Sequence, residues 1–332
     1  MANTETKVPR RGRFLESFLN NEDIQNILKY VAKHPELDAQ LRDGYFNIYY
    51  KGGNILRVEQ RVRNAYELYL DKYYFYTGKV PKTYIEEWLK DKPRENRPKN
   101  YPKSKKEAEE LVRSAKKEHE EAMSLIKKEK RYDDFFKKVK TAIDKWLNLH
   151  KRAEREKQHY ISCSNRKFSS QNNLVVIDLE FAVSKNKPYN SAENKNGNKK
   201  MPKFDIIAVN EEGQIYCIEL KDNLNADNDN SPQNIERHKG DFENTVQKAI
   251  DFRLEMDELL KRKQQLKLLP ENINIDTTDT TDTTDTTHSP TFAIAFSGKQ
   301  EEKDRFNKKY NGKYQIIEIN IDNNKYFLNL VK

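Results

Sequence analysis

Two carboxylates and one ammonium group stand at the ends of two neighbouring apolar runs in the second half of the chain. Asp205 lies near the start of the run 203–210, whereas Glu219 and Lys221 close the run 214–221. Charged side chains are costly to bury unless they are paired or bind a metal ion. Carboxylate oxygens are ligands that Mg²⁺ prefers, and a lysine beside the ion could take a proton from water. These residue types indicate metal-assisted hydrolysis or, alternatively, a structural ion pair at a strand end.

The spacing of the three residues favours a β-hairpin that brings them together. The loop 211–213 between the two runs ends in glycine, which suits the left-handed position of a three-residue hairpin loop. In that register Asn210 faces Gln214, and Asp205 therefore lies opposite Glu219. Because side chains alternate along a strand, the lysine two residues later lies on the same face. The Glu-x-Lys pattern occurs elsewhere in the chain, but only this copy ends an apolar strand with an aspartate aligned to it.

A third carboxylate is expected from the preceding helix or from the first strand of the same sheet. Glu154 follows Leu147 by seven residues, which places it about 20° from the apolar stripe of a continuing helix. Asp178 and Glu180 stand in the apolar strand pattern 174–183, where they share one face. Either of these two acids could replace or supplement Glu154.

Two polar residues on the next helical pattern are further candidates. His238 shares an inward stripe with Phe242 and Val246, near the start of a helix predicted over 233–263. A single histidine at such a position is more often structural than catalytic. Gln247 lies on the flank of the same stripe.

Asp205 followed by Glu219-Leu-Lys221, in an α-β-β-β-α-β order, resembles the PD-(D/E)XK nuclease superfamily from about residue 133 onward. In that family the aspartate and the glutamate hold Mg²⁺, and the lysine positions or deprotonates the attacking water. The resemblance implies Asp205, Glu219 and Glu154 as metal ligands, with Mg²⁺ or Mn²⁺ as the cofactor. The chain departs from the family motif at the proline, because Pro202 stands three residues before the aspartate.

The same resemblance implies a function. It predicts a Mg²⁺-dependent nuclease, and first of all a DNA endonuclease that acts in bacterial restriction or anti-phage defence. The catalytic residues that it implies are Asp205, Glu219, Lys221 and Glu154. Some members carry a glutamine on the second helix, and Gln247 is the best match for it. A non-catalytic nucleic-acid-binding protein on a nuclease fold and an RNA nuclease are the alternatives. A homodimer or a partner from a defence system is also compatible with the resemblance.

The order of the patterns predicts an α/β chain of mixed α+β type, with a central mixed sheet flanked by helices. An N-terminal helix over 13–32 and a hairpin around Gly52 and Gly53 belong to a smaller α+β part. The strands of the central sheet are predicted over 174–183, 203–210, 214–221, 291–297, 314–321 and 326–331.

Composition divides the chain into four regions. Residues 1–90 form an N-terminal domain of unknown role, and the proline-rich stretch 91–104 reads as a linker. A basic helical region follows over 105–132, and the nuclease-like domain covers 133–332. Within it, the Asp-Thr-Thr repeat 276–287 has no apolar residue and predicts a disordered surface loop.

Charge indicates a polyanionic partner, with DNA favoured over RNA. The chain has a net charge of +9, and residues 79–160 hold 25 Lys and Arg against 16 Asp and Glu, which equals the whole excess. Lysine and arginine gain affinity for nucleic acid by releasing the counterions of phosphates. The candidates for such contacts are Lys127, Lys128, Lys130 and Arg131. A lysine-rich composition without any nucleic-acid role would produce the same balance.

Several classes are excluded by what the sequence lacks. The first residues have no apolar segment of the signal-peptide type, and no run approaches the ~20 apolar residues of a membrane span. Cys163 and Cys217 cannot form a disulfide framework or a four-ligand zinc site. No phosphate-binding Gly-Lys-Ser/Thr loop and no His-Glu-x-x-His motif is present. The expected location is the cytoplasm, without membrane contact.

Overall fold

The computed structural model describes two β-sheets and seven helices in the following parts of the chain: 18–42, 44–61, 65–76, 104–149, 153–182, 203–221, 235–246, 250–277 and 289–330. The helices are α1 (Glu22–Lys33), α2 (Lys105–Lys127), α3 (Tyr132–Leu149), α4 (Ala153–Ser164), α5 (Ile235–Thr245), α6 (Ile250–Gln265) and α7 (Gln300–Tyr310). Within these ranges every helix is too short or too polar to span a lipid bilayer.

The N-terminal sheet is an antiparallel meander in the order β1-β2-β3-β4. Its strands are β1 (Leu37–Leu41), β2 (Tyr45–Tyr50), β3 (Gly53–Gln60) and β4 (Tyr66–Tyr69). The predicted hairpin is confirmed, since Lys51 and Gly52 both have positive φ angles in the two-residue turn between β2 and β3. The sequence predicts one helix over 13–32, but helix α1 begins only at Glu22. The Asn21 side chain caps its first turn by accepting a hydrogen bond from the Ile24 N–H.

The central sheet is mixed, as the sequence predicts, and its strand order is β10-β9-β8-β7-β6-β5. Strands β5, β6 and β7 are antiparallel, whereas β7, β8 and β9 are parallel neighbours. The strands are β5 (Val175–Ala182), β6 (Lys203–Val209), β7 (Ile215–Lys221), β8 (Thr291–Phe296), β9 (Gln315–Asp322) and β10 (Lys325–Leu330). The mixed α+β class is thus confirmed, and the nuclease-like core stays a prediction.

Two features of the helices differ from the predicted order. Helix α7 was not predicted, yet β8 and β9 are parallel and parallel neighbours need a crossover connection between them. Its apolar stripe is short, with Phe306 and Tyr310 as its buried residues. The helix predicted over 233–263 is instead two helices, α5 and α6. The linker 91–103 and most of the repeat, from residue 278, lie outside the described residues.

Helix α3 packs against the N-terminal sheet. The ring of Phe136 stacks on Tyr30 with centroids 4.5 Å apart, and Trp146 meets Tyr74 edge-on at 5.5 Å. Aromatic pairs at these separations add to the energy of simple burial. The predicted domain boundary at residue 133 therefore lies at the start of a helix that shares a core with the N-terminal strands. The division into domains at this residue stays a prediction.

Helix α4 is held between the two sheets. The Ser162 hydroxyl donates to the buried Asp38 carboxylate of β1 at 2.9 Å, and Gln40 of the same strand accepts from the buried Lys263 ammonium at 2.9 Å. Burial acts to raise the pKa of Asp38, but the nearby cations Arg166 and Lys263 hold it below its usual value. Asp38 is therefore ionised and anchors α4 to the N-terminal sheet.

The turn at Gly52 fixes the other end of α4. A Cβ atom added at Gly52 would lie 2.6 Å from the carbonyl oxygen of Arg155, and its φ of +73° is a conformation that glycine adopts readily. Gly52→Ala should lower the free energy of unfolding by about 2–3 kcal/mol, because backbone strain and the contact with α4 add together. Urea denaturation followed by circular dichroism measures this change.

The matched control for this substitution is Gly312→Ala. Gly312 has a φ of +77°, but no atom lies within 4 Å of the position its Cβ would take. This variant should cost only the strain of the left-handed backbone, about 1–2 kcal/mol. Equal losses for the two variants would show that the contact between Gly52 and α4 contributes nothing to stability.

Candidate active site

Strands β6 and β7 pair in the predicted register. The pairs run from Val209 with Ile215 to Ile206 with Ile218, and the left-handed glycine at the turn has a φ of +84°. Asp205 stands one residue beyond the last pair. Its Oδ2 accepts a hydrogen bond from the Leu220 backbone N–H at 2.9 Å. The hairpin therefore places the Asp205 carboxylate against the end of β7, where Glu219 and Lys221 lie.

Glu219 and Lys221 form a buried ion pair. Each residue is only 4% exposed, and the Lys221 Nζ donates to Glu219 Oε1 at 2.8 Å. The second carboxylate oxygen, Oε2, is buried and has no hydrogen-bond partner among the described residues. A buried acceptor left without a donor is costly, so this oxygen has capacity for one further ligand.

Helix α4 contributes two residues of this cluster. Gln158 Nε2 donates to Asp205 Oδ1 at 3.1 Å, and Glu154 lies one turn earlier on the same helix. Glu154 is exposed, yet it is close enough to raise the pKa of both Asp205 and Glu219. The sequence argument for Glu154 assumed one continuing helix, but α3 ends at Leu149 and α4 is a separate helix. Gln158 was missed, although its spacing of four residues from Glu154 was a usable signal.

The electrostatics of the cluster favour a cation. Burial, followed by the charges of Glu219 and Glu154, raises the pKa of Asp205 well above its usual range, against the opposing effects of the Leu220 N–H and Lys221. Burial also raises the pKa of Glu219, and Lys221 opposes it. Three carboxylates, those of Asp205, Glu219 and Glu154, stand against the cations of Lys221 and Arg237, and a divalent ion would offset this excess.

The predicted three-carboxylate metal site is not preassembled. Among the described residues, no group of three His, Cys, Asp or Glu side chains converges closely enough to hold an ion. The two strand-borne acids nevertheless fit Mg²⁺, which is commonly bound through one or two carboxylates and keeps several waters. Asp205 and Glu219 would hold the ion, with the unpartnered Oε2 of Glu219 as the clearest donor.

His238 joins the cluster from helix α5. Its Nδ1 lies 3.3 Å from Glu219 Oε2, outside hydrogen-bonding geometry, and its Nε2 is within 3.4 Å of Arg237 Nη2. Burial, Lys221 and Arg237 together lower the pKa of His238 to about 4. The imidazole is therefore neutral at neutral pH, where it cannot serve as an acid. Gln247 lies outside the described residues.

The acids of β5 do not join the cluster. Asp178 is fully buried and pairs with Arg42 at 2.8 Å, while Glu180 pairs with Lys203 at 2.7 Å. The pairing of β5 with β6 shifts register between Val176 and Asp178. A bulge changes the alternation of side chains along a strand, which the sequence pattern could not anticipate.

The proposed phosphate-binding residues lie around the turn between α2 and α3. Lys130 forms an ion pair with Asp23 at 2.5 Å, and Arg131 forms one with Asp134 at 2.7 Å. Lys127 and Lys128 line a groove with residues of β4 and α2. Exposed ion pairs of this kind exchange readily, so a phosphate contact by all four residues stays a prediction.

Comparisons of the chain with models of known protein families, with curated proteins and with solved structures gave no match. The chemistry of the cluster therefore has to be argued from its own geometry. The half-buried Asp205, the buried pair of Glu219 and Lys221, and the exposed Glu154 lie near one another at the ends of strands β6 and β7. This arrangement can bind a hydrated divalent ion and hold an ammonium group beside it.

Gln158 tests whether the α4 contact serves the cluster. Gln158→Ala removes the hydrogen bond to Asp205 Oδ1, so the carboxylate loses one of the two donors that orient it. If Asp205 holds Mg²⁺, the dissociation constant for the ion should rise by about tenfold, as is usual when a partner of a metal ligand is lost. Calorimetric titration with Mg²⁺ measures this. Gln300→Ala is the matched control, since Gln300 makes the same type of bond to Asp304 on the exposed helix α7. An equal shift in both variants would remove Gln158 from the site.

Proposed function

We propose that this chain is a Mg²⁺-dependent phosphodiesterase, most specifically a DNA endonuclease. The observation that carries the proposal is the buried pair of Glu219 and Lys221, with the raised-pKa carboxylate of Asp205 against the same strand end. Buried groups of this kind cost stability and contribute nothing to packing. Perturbed carboxylates in such a cluster are typical of sites that do chemistry.

Each residue has a definite task in this mechanism. Asp205 and Glu219 would hold the ion, which when bound would polarise the scissile phosphate and acidify a water molecule. Gln158 and the Leu220 N–H orient the Asp205 carboxylate by donating to its two oxygens. The Lys221 ammonium, fixed by Glu219 Oε1, positions the attacking water. Glu154, at the exposed rim, adds negative charge that favours the cation.

Nucleic acid is the proposed substrate because the chain is basic and the cluster suits phosphate chemistry. The positive excess lies within 79–160, a region that includes α2, α3 and the start of α4. Lysine and arginine in such numbers bind polyanions by counterion release. A role in bacterial restriction or anti-phage defence rests on the resemblance to the PD-(D/E)XK superfamily.

A matrix of substrates and metals tests the activity. Purified protein is incubated with supercoiled plasmid, with linear duplex DNA and with single-stranded DNA and RNA of one sequence, each in Mg²⁺, Mn²⁺, Ca²⁺ or EDTA. We expect nicking or linearisation of the plasmid in Mg²⁺ and Mn²⁺ and none in EDTA. Because a plasmid has no ends, its conversion shows an endonuclease and not an exonuclease.

The other outcomes of the matrix select the alternatives. Cleavage of RNA without cleavage of DNA would make the chain an RNA nuclease. Salt-sensitive binding in gel-shift assays, unaffected by metal and without cleavage of any substrate, would make it a non-catalytic nucleic-acid-binding protein. Absence of both binding and cleavage would refute the proposal.

A further inference from the structure

A cation of helix α4 lies beside the candidate active site. Lys157 is partly exposed, three residues after Glu154 and directly before Gln158, so it stands on the helix surface that faces the cluster. Its Nζ donates a long hydrogen bond of 3.5 Å to the Ser297 carbonyl oxygen, and the Ser297 N–H donates to the Lys221 carbonyl at 2.9 Å. The ammonium group therefore lies next to the end of β7. No carboxylate among the described residues forms an ion pair with it.

A second cation approaches the same site from helix α5. Arg237 is exposed, and its Nη2 lies 3.4 Å from Nε2 of His238, whose Nδ1 lies 3.3 Å from Glu219 Oε2. Its charge opposes the effect of burial, which raises the pKa of Glu219, and it also lowers the pKa of Asp241. In the part of the chain that the structure describes, no carboxylate lies within ion-pair distance of its guanidinium. Arg237 is therefore open to an anion from solution.

The two helices that carry these cations cover opposite faces of the central sheet. Ile161 of α4 belongs to the same apolar cluster as Ile218 of β7, whereas Phe242 of α5 belongs to the cluster that contains Cys217. Successive residues of a strand point to opposite faces of a sheet. The lysine and the arginine therefore flank the strand ends from two sides.

A polyanion that enters this site meets repulsion from three acids, Asp205, Glu219 and Glu154. A divalent ion held by Asp205 and Glu219 would offset that repulsion at the scissile phosphate. Each strand of duplex DNA carries one charge per ~3.4 Å of helix axis, so the next phosphates also come close to the acids. Cations on both sides of the strand ends supply the attraction that these phosphates need.

We propose that Lys157 and Arg237 bind the two backbone phosphates that neighbour the scissile phosphate, one on each side. The inference rests on the proposed function and names contacts that its DNA substrate makes. Contacts to phosphates fix the register and orientation of a protein on DNA. A neighbouring phosphodiester has the same charge in the ground state and in the transition state, so both residues hold the substrate equally in the two states.

The salt dependence of DNA affinity tests these contacts without cleavage. A fluorescent duplex is titrated with the full chain in EDTA at a series of salt concentrations. Lys157→Met and Arg237→Gln should each reduce the slope of log affinity against log salt by about 0.9, the value for one duplex phosphate. The same relation gives an affinity about eightfold lower at ~0.1 M salt. Lys157→Arg and Arg237→Lys, which keep the charge, should retain the wild-type slope.

Lys267→Met is the matched control. Lys267 is exposed and follows α6, where Lys263 contacts Gln40 of β1, so it lies toward the end of α4 that is opposite to Glu154. This variant should leave the slope near that of wild type, and an equal reduction would show that net charge alone matters and overturn the proposal. Circular dichroism melts confirm that each variant is folded. Lower stability of Lys157→Met at an unchanged slope would make Lys157 a structural residue and also overturn it.

Cleavage kinetics at saturating Mg²⁺ separate these two residues from Lys221. Lys157→Met and Arg237→Gln should raise KM about eightfold and leave kcat near wild type, as expected for the loss of uniform binding. A lower kcat at unchanged KM would place these residues at the reacting phosphate and overturn the proposal. If the slopes fall as expected but no metal supports cleavage, only the nuclease assignment fails. Unchanged slopes in a protein that cleaves DNA refute the phosphate contacts alone.

Discussion

Lys221→Met should lower the rate of phosphodiester cleavage by about 10³-fold while the protein stays folded. Methionine keeps most of the apolar stem of lysine, but it has no ammonium group to position the attacking water. Loss of one preorganised hydrogen-bond donor of a site costs roughly 10²–10³-fold. The rate constant at saturating Mg²⁺, measured on a defined duplex, reports the effect.

The same variant makes a second, opposite prediction for the metal. The Lys221 ammonium lies 2.8 Å from Glu219 and lowers the pKa of that carboxyl, so its removal leaves more negative charge unopposed. Mg²⁺ should therefore reach half-maximal effect at a lower concentration in the variant than in wild type. A merely structural lysine would not separate the two readouts in this way.

Lys239→Met is the control for this experiment. Lys239 is on α5, one residue after His238, and its partner Glu243 lies on the same exposed helix surface at 3.6 Å. It should leave both the rate and the metal dependence near wild type. A loss comparable to that of Lys221→Met would mean that positive charge around α5 matters and that no specific role belongs to Lys221.

The β6-β7 hairpin could be predicted because its determinants are local. The glycine of the loop and the period-two pattern fixed the register, and with it the position of Asp205 relative to Glu219. The two strands are close together in the sequence, so no contact with a distant segment had to be known. The mixed sheet followed from the same kind of pattern in the remaining strands.

The parts that escaped prediction depend on contacts between distant segments. Helix α4 is positioned by the turn at Gly52 and by Asp38, more than one hundred residues earlier in the chain. Neither contact leaves a signal in the local sequence. The sequence argument placed Glu154 by its angular position on a helix assumed to continue past Leu147, and this was the wrong basis. A cavity next to Gln158 exists only where the two sheets meet α4. The N-terminal sheet is thus part of what builds the candidate site.

The candidate site contains acidic groups whose surroundings lower the stability of the folded protein. Asp205 is held where burial and neighbouring carboxylates oppose its ionisation, and Glu219 keeps a buried oxygen without a donor. Asp178, in contrast, is a buried aspartate of the neighbouring strand with a cation beside it. The same isosteric substitution at these two positions should therefore have opposite effects.

Asp205→Asn should abolish cleavage and raise the free energy of unfolding in EDTA at neutral pH, because the neutral amide avoids the cost of ionising a carboxyl whose pKa the fold raises. The folded-state pKa of Asp205 is raised above its usual 3.8. The unfolded chain therefore loses this proton first, and wild-type stability falls as pH rises from about 4 through the raised value. The advantage of the variant should grow over that interval, and urea denaturation at several pH values measures it.

Mg²⁺ and the control complete the experiment. Saturating Mg²⁺ should stabilise wild type, because an ion that binds only the folded state shifts the equilibrium toward it, whereas Asp205→Asn should respond weakly. Asp178→Asn breaks the pair with Arg42 and should destabilise the protein at neutral pH, with no change in its response to Mg²⁺. Destabilisation by both substitutions would show that Asp205 is a structural anion like Asp178, and the metal site would lose its main support.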